Sequence, residues 1–347
     1  MISPPMIDVE RHWSEVALTL LRSFAGTDHD SANVLTPSPA EELVLRERFI
    51  DGIIRTDNKS PAQRLYGKIW SIHEAAITEF ISACNSAGIR PTILKGAEFT
   101  KAFFSQNPLG YMADVDCLVA KPEISLVKKL LFDLGYRQGR FDQDAWALRE
   151  LDVVEIANIE QVHYELAPFC KIVELHLESD ELAVAATIPR RLIWIRDNRA
   201  QFEVMLDIHH GFATDLAAED LASARCDSAF AGAQTLSYTD HLWLNCAKYY
   251  TEVALHGKRS LREFAYLSTI LRTQIIEWEK IAAAADKFEI HASLYYYLVF
   301  AADLANLKLP EEALLRLSPL RGVRLRDWGW QLGPLFDTVD PMPHRCR

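Results

Sequence analysis

Basic residues are the minority charge in this 347-residue chain: 37 Lys and Arg stand against 48 Asp and Glu, for a net charge of −11. Non-specific binding to a phosphate backbone runs on counterion release by lysine and arginine, so a protein that tracks DNA or RNA is not expected. Cysteine is sparse and scattered. Cys84, Cys117, Cys170, Cys226, Cys246 and Cys346 form no C-x-x-C pair, which argues against disulfide staples or a zinc site and for reduced core thiols. Long apolar runs are missing too. The longest, residues 292–302, holds a serine and three tyrosines and is far too short to span a bilayer. The first eight residues lack a charged stretch followed by an apolar one, so no signal peptide and a soluble, cytoplasmic protein are the expectation. No internal repeat or low-complexity tract is visible. What remains is an ordinary globular composition, 49% hydrophobic and 24% charged, which excludes disorder and collagen-like structure. At roughly 100–200 residues per domain the length predicts two or three packed units.

The texture changes along the chain. Helical apolar spacing marks residues 12–24, with Trp13, Val16, Leu20 and Leu21 on one face. Ser38-Pro39-Ala40-Glu41 is a capping box that opens a helix through Leu43 and Phe49. Ser60-Pro61 repeats the device and starts a long helix to about Ala87, ended by Gly88. From 89 to 215 short apolar runs alternate with polar turns. Strands are predicted at 91–94, 115–119, 162–166, 172–177, 192–195 and 202–208, the last two joined as a hairpin across Asp197-Asn198. Helices are predicted at 97–104 and at 122–134, the second ended by Gly135. From Ala217 onward the pattern is helical, with segments at 240–254, 261–271, 275–284 and 290–304. The predicted organisation is an N-terminal helical region (1–88), an α+β core (89–215) and a C-terminal helical domain (216–347).

Three segments of the core carry residues suited to phosphate chemistry. In Thr92-Ile93-Leu94-Lys95-Gly96-Ala97-Glu98 a strand runs through glycine into a helix, whose N-terminus offers unpaired N–H groups and a positive dipole end. In Asp114-Val115-Asp116-Cys117-Leu118-Val119 two carboxylates at i and i+2 share one face of a strand and repel each other unless a cation lies between them. Mg²⁺ takes such ligands together with substrate phosphates. Acid-x-acid triplets arise about six or seven times by chance in a chain this acidic, so the weight lies on the apolar frame of Val115, Leu118 and Val119. In Met205-Leu206-Asp207-Ile208-His209-His210 one acid interrupts an apolar strand, at a cost unless it is paired or binds metal. His209 and His210 are strand neighbours and face opposite ways, so together they cannot chelate one ion.

As a set these motifs resemble the nucleotidyltransferase superfamily with a DNA-polymerase-β-like catalytic fold, and within it the branch of uncharacterised bacterial nucleotidyltransferases. The branch pattern is a strand ending in L-K-G-A, a D-h-D-h-L-V strand and a later h-D/E-h-H strand. Here these are Ile93-Leu94-Lys95-Gly96-Ala97, Asp114-Val115-Asp116-Cys117-Leu118-Val119 and Leu206-Asp207-Ile208-His209. Four residues before the first aspartate, where the family carries arginine, this chain has Gly110, and Tyr266 stands at the place of a family aspartate. Val173-Glu174-Leu175-His176 fits the h-D/E-h-H pattern as well, which makes Glu174 a second candidate for the third carboxylate. Asp207 is preferred for its distance to the following helices.

The resemblance implies a mixed sheet with helices, flanked by helical regions, and a metal-dependent in-line displacement. It implies that Asp114, Asp116 and Asp207 bind Mg²⁺ or Mn²⁺ and are catalytic. It implies that Lys95, Gly96 and Ala97 hold the triphosphate, with Lys248 of the Lys248-Tyr249-Tyr250 run reaching it from the C-terminal helices. A Lys-Tyr-Tyr run is otherwise more often a half-buried surface, and Arg190, Arg191, Arg196 and Arg199 read as a solvated hairpin. The expected partners are a nucleoside triphosphate, ATP first, and a small-molecule or peptide acceptor, without a nucleic-acid polymer or a membrane. The alternatives are a catalytically silent scaffold on the same fold and an adenylylating, antitoxin-like enzyme that modifies proteins.

Overall fold

A computed structural model describes residues 42, 43, 45, 46, 49–53, 59–188, 192–213, 216–256, 260–304 and 307–318. The helix expected at 12–24 lies outside these residues, as do Arg190 and Arg191. The chain forms two compact units. One is continuous, Lys59–Ser237, and carries the sheet; the other joins the described residues between 42 and 53 with those from Tyr238 to Ser318. The sheet unit is wider on both sides than the 89–215 core expected from the sequence.

The sheet unit opens with α1 (Pro61–Ser86). Ser60 caps it, accepting from the Gln63 amide while the Gln63 side chain accepts from Ser60, and Gly88 follows its end at φ +78°. Its stripe Leu65, Ile69, His73, Ala76, Ile77, Phe80 and Cys84 is buried, the spacing of a helix laid on a core. There follow β1 (Thr92–Ile93), α2 (Lys95–Phe103), β2 (Asp114–Leu118) and α3 (Ile124–Asp133). Next come a hairpin of β3 (Arg137–Asp142) and β4 (Ala147–Glu150), α4 (Val153–Val162), β5 (Phe169–Leu175) and α5 (Ser179–Ala185). β6 (Ile193–Arg196) and β7 (Arg199–His209) then form a second hairpin, whose turn residues Asp197 and Asn198 both have positive φ, 49° and 60°. That is the two-residue turn whose twist suits a hairpin. Short strands β8 (Gly211–Ala213) and β9 (Leu216–Ala217) pair with each other, and β10 (Arg225–Asp227) and β11 (Gln234–Leu236) close the unit.

The nine-stranded sheet is mixed, in the order β10-β11-β1-β2-β7-β5-β3-β4, with β6 also on β7. Strand β7 is its spine. Its first half pairs β6 on one edge and its second half pairs β2 on that same edge, while β5 runs antiparallel along the other. Phe202, Val204, Leu206 and Ile208 of β7 are buried, and His73 of α1 packs edge-on against Phe202, ring centroids 5.2 Å apart. Alternation therefore puts Met205, Asp207 and His209 on the opposite face.

Two sequence expectations are corrected. Residues 162–166 are not a strand: Asp152 and Glu155 form a capping box that holds 153–162 as α4, and only Glu165 makes a lone bridge to His209. The chain after Ala217 is helical only as a short 3₁₀ segment, Ala218–Ala224, before it turns into β10 and β11. β11 returns to pair β1, inside the edge strand β10, where the Gln234 amide donates to Pro91 and Thr235 Oγ1 to Ile93, and this long-range pairing overrides local helical spacing.

The other unit is helical in its described elements: a turn at Asp51–Ile53, α6 (Tyr238–His256), α7 (Arg262–Thr273), α8 (Trp278–Phe288), α9 (His291–Leu304) and α10 (Glu311–Leu317). Phe264 and Tyr297 stack at 4.4 Å in its core. Among the described residues no helix is long and apolar enough to cross a membrane.

Candidate active site

The parallel register of β2 and β7 sets Asp116 beside Asp207. Partnered residues of a ladder project to the same face, so two carboxylates meet across two central strands while Val115, Cys117, Leu206 and Ile208 anchor the other face in the core. Two residues further along β7, His209 is turned the same way. It is 2% exposed, and its Nε2 lies 3.1 Å from Asp116 Oδ1, 3.4 Å from Asp207 Oδ2 and 3.8 Å from Glu165 Oε2. None of these approaches has the alignment of a hydrogen bond, and Nε2 is a buried polar atom without one. Burial opposes a charge on this imidazole, yet the Asp116 and Asp207 carboxylates outweigh it and hold its pKa above the ordinary histidine value.

Lys95 supplies a positive charge. The Leu94 amide donates to the Asp116 carbonyl at 3.0 Å, so β1 delivers the next residue directly over β2. There Lys95 Nζ meets Asp116 Oδ1 at 2.5 Å and lies 5.5 Å from the centre of the Phe212 ring. Its φ of +49° is a left-handed conformation that side chains other than glycine rarely adopt, a form of strain that collects at functional sites. Helix α2 begins at this residue, two earlier than its apolar spacing predicts. No side chain caps its N-terminus. A Cβ on Gly96 would meet only Met112 Sδ, at 3.8 Å, so the protein's own packing does not require glycine there.

The structure thus brings Asp116, Asp207, Lys95 and the start of α2 into one place. Among the described residues, Asp116, Asp207 and His209 are the group whose potential ligand atoms all lie within 4.8 Å of one another. Asp114 shares the face of Asp116 on β2 and is opposite Met205, outside that tight group. Glu174 is opposite Gln201, six residues back along β7 from Asp207, and pairs with Arg199 at 3.7 Å, so geometry separates it from the other carboxylates. Lys248 is a half-buried residue of α6 in the helical unit, beside the core residue Tyr249, whose hydroxyl donates to the Ser260 carbonyl. Arg196 lies over the Trp146 ring. The Cys117 thiol is held protonated by burial and by Asp116, so it offers no thiolate ligand. Sequence reasoning left two participants without a role. His209 carried a signal, the i, i+2 spacing from Asp207. Glu165 carried none, since a tertiary bridge brings it in.

The chain matches the family of uncharacterised nucleotidyltransferases over residues 71–306, more than half its length, and belongs to that family. It is an enzyme of the nucleotidyltransferase class with a mixed α+β core, and its expected co-substrate class is a nucleoside triphosphate. No curated protein and no solved structure matches it.

Proposed function

We propose that the enzyme moves a nucleoside monophosphate from a triphosphate, with ATP the expected donor, to a hydroxyl or amine of a small molecule, natural-product intermediate or peptide. The observation that carries this reading is the side-by-side placement of Asp116 and Asp207 on central strands, at the uncapped start of α2. The donor set fits a divalent cation: two carboxylate oxygens and a buried nitrogen without a hydrogen bond converge. Asp116 and Asp207 would hold Mg²⁺ or Mn²⁺, with Asp114 on the same face as a further ligand. Such an ion neutralises the triphosphate and polarises the reacting phosphorus.

The chain's own groups account for the rest. N–H groups of the first turn of α2, at Gly96 and Ala97, bind phosphate oxygens with the favourable end of the helix dipole. Lys95 exchanges Asp116 for a phosphate oxygen as the substrate arrives. The acceptor oxygen or nitrogen attacks the α-phosphorus, the bond to the α,β-bridging oxygen breaks, and pyrophosphate leaves with the electron pair. Asp207 takes the acceptor's proton. The contribution of Lys248 is a proposal from the family resemblance alone. Asp116→Asn tests the reading: it keeps the strand and its packing, and NTP consumption with divalent cation and cell extract should fall by a hundredfold or more, at least about the loss for one preorganised electrostatic group. Retained turnover would refute the assignment.

A further inference from the structure

We propose that His209 is a metal ligand, and that the Asp116–Asp207–His209 site therefore selects a first-row transition divalent cation over Mg²⁺. This deepens the reading above and rests on its use of Asp116 and Asp207 as ligands. A carboxylate pair by itself suits a hard ion held by oxygen. The imidazole changes the chemistry of the set: nitrogen ligands raise affinity along the first-row transition series and add little for Mg²⁺, which demands oxygen and keeps much of its water.

Three observations support the ligand role. First, the distances from Nε2 to the two carboxylates are those of a coordination shell. Donors bound at about 2.1 Å and a right angle apart are about 3.0 Å from each other, and about 3.4 Å apart in a tetrahedron. The Nε2 distances to Asp116 and Asp207 are 3.1 and 3.4 Å. Second, Nε2 is buried and approaches three carboxylates without a hydrogen bond to any of them. A ring engaged in one ion pair would align with one partner, whereas this nitrogen lies within 4 Å of three carboxylates and is hydrogen-bonded to none of them. Third, the ring is fixed. His209 is buried, stacks with Tyr164 at 5.8 Å, and its backbone is tied on both sides, by the Glu165 bridge and by the Val119 amide that donates to its carbonyl at 2.9 Å. Ligands held in fixed positions are what tight metal binding requires. Lys95 shares Asp116 Oδ1, so its ammonium yields to the entering ion.

The test uses the full-length, chelator-treated protein without nucleotide, so it reads binding and not turnover. Mn²⁺ is titrated and followed by electron paramagnetic resonance, and the bound ion is examined for hyperfine coupling to ¹⁴N. A ¹⁴N coupling in the wild type supports the proposal and needs no variant. Competition by Mg²⁺ should show at least tenfold preference for Mn²⁺, and His209→Gln should lower Mn²⁺ affinity at least tenfold and Mg²⁺ affinity less than threefold. Mn²⁺ bound in an Asp207-dependent way but without ¹⁴N coupling would overturn the role of His209 and leave the carboxylate reading intact. No Mn²⁺ binding at all would overturn both.

Discussion

Asp116 stands between the Lys95 ammonium and the buried His209 ring, and this crowding is informative about what the residues are for. Carboxylates brought together on central strands need compensating charge, and here the chain supplies it from a lysine in a strained backbone conformation, beside a buried imidazole. Gly96 makes the corresponding claim about the phosphate. Because a Cβ there meets only Met112 Sδ at ordinary contact distance, Gly96→Ala should leave the melting temperature within about 2 °C of the wild type. The same substitution should raise the apparent KM for the triphosphate about tenfold, a loss of about 1.4 kcal/mol, since it occupies the approach to the α2 N-terminus. An unchanged KM would remove that N-terminus from the site. On the opposite face, His73 is fully buried, with Nε2 3.2 Å from the Met112 carbonyl, and burial lowers its pKa from 6.5 to about 4. The folded protein holds it neutral, so the unfolded chain takes up the proton first as the pH falls. Stability from this residue is therefore complete above about pH 6.5 and is lost progressively toward pH 4, by on the order of 3 kcal/mol. Denaturant midpoints for the wild type and His73→Leu should show a slope between pH 6.5 and 4.5 that is shallower in the variant.

At the scale of elements, β7 organises the molecule, since it receives β6, β2 and β5 and carries two members of the candidate cluster. Its register depends on the turn before it. Asp197 and Asn198 both occupy the left-handed region, so Asn198→Val should destabilise by about 1–2 kcal/mol while Asn198→Gly is tolerated, as thermal melts of both variants would show. That turn was legible in the sequence because Asp-Asn lies between two apolar runs. The frame of Val115 and Leu118 likewise made the β2 strand legible, and the Ser60 and Gly88 signals bounded α1. Other parts were hidden for physical reasons. β11 exists through pairing with the distant strand β1. Val153, Val154 and Val162 look like strand residues and yet are exposed on a helix set by the Asp152 cap. The same alternation that separates His209 from His210 aligns His209 with Asp207, but only the register with β2 reveals that this alignment meets a second carboxylate.

For the whole molecule, the net charge of −11 disfavours a polymerase that follows a nucleic-acid strand, although the core belongs to a nucleotidyltransferase family. It is compatible with a donor that arrives as its metal complex and an acceptor that is small or peptidic. The division into a sheet unit and a helical unit places every member of the Asp116–Asp207–His209–Lys95 cluster in the first, so the chemistry of transfer is proposed to reside there and acceptor choice to involve the second. The most direct measurement incubates the protein with divalent cation, cell extract and a triphosphate labelled at either the α- or the γ-phosphorus. Transfer of the α-label to an acceptor, with the γ-label recovered in pyrophosphate and both lost in Asp207→Asn, is the result predicted. Transfer of the γ-label, or no consumption of any of the four triphosphates, would contradict nucleotidyl transfer at this site.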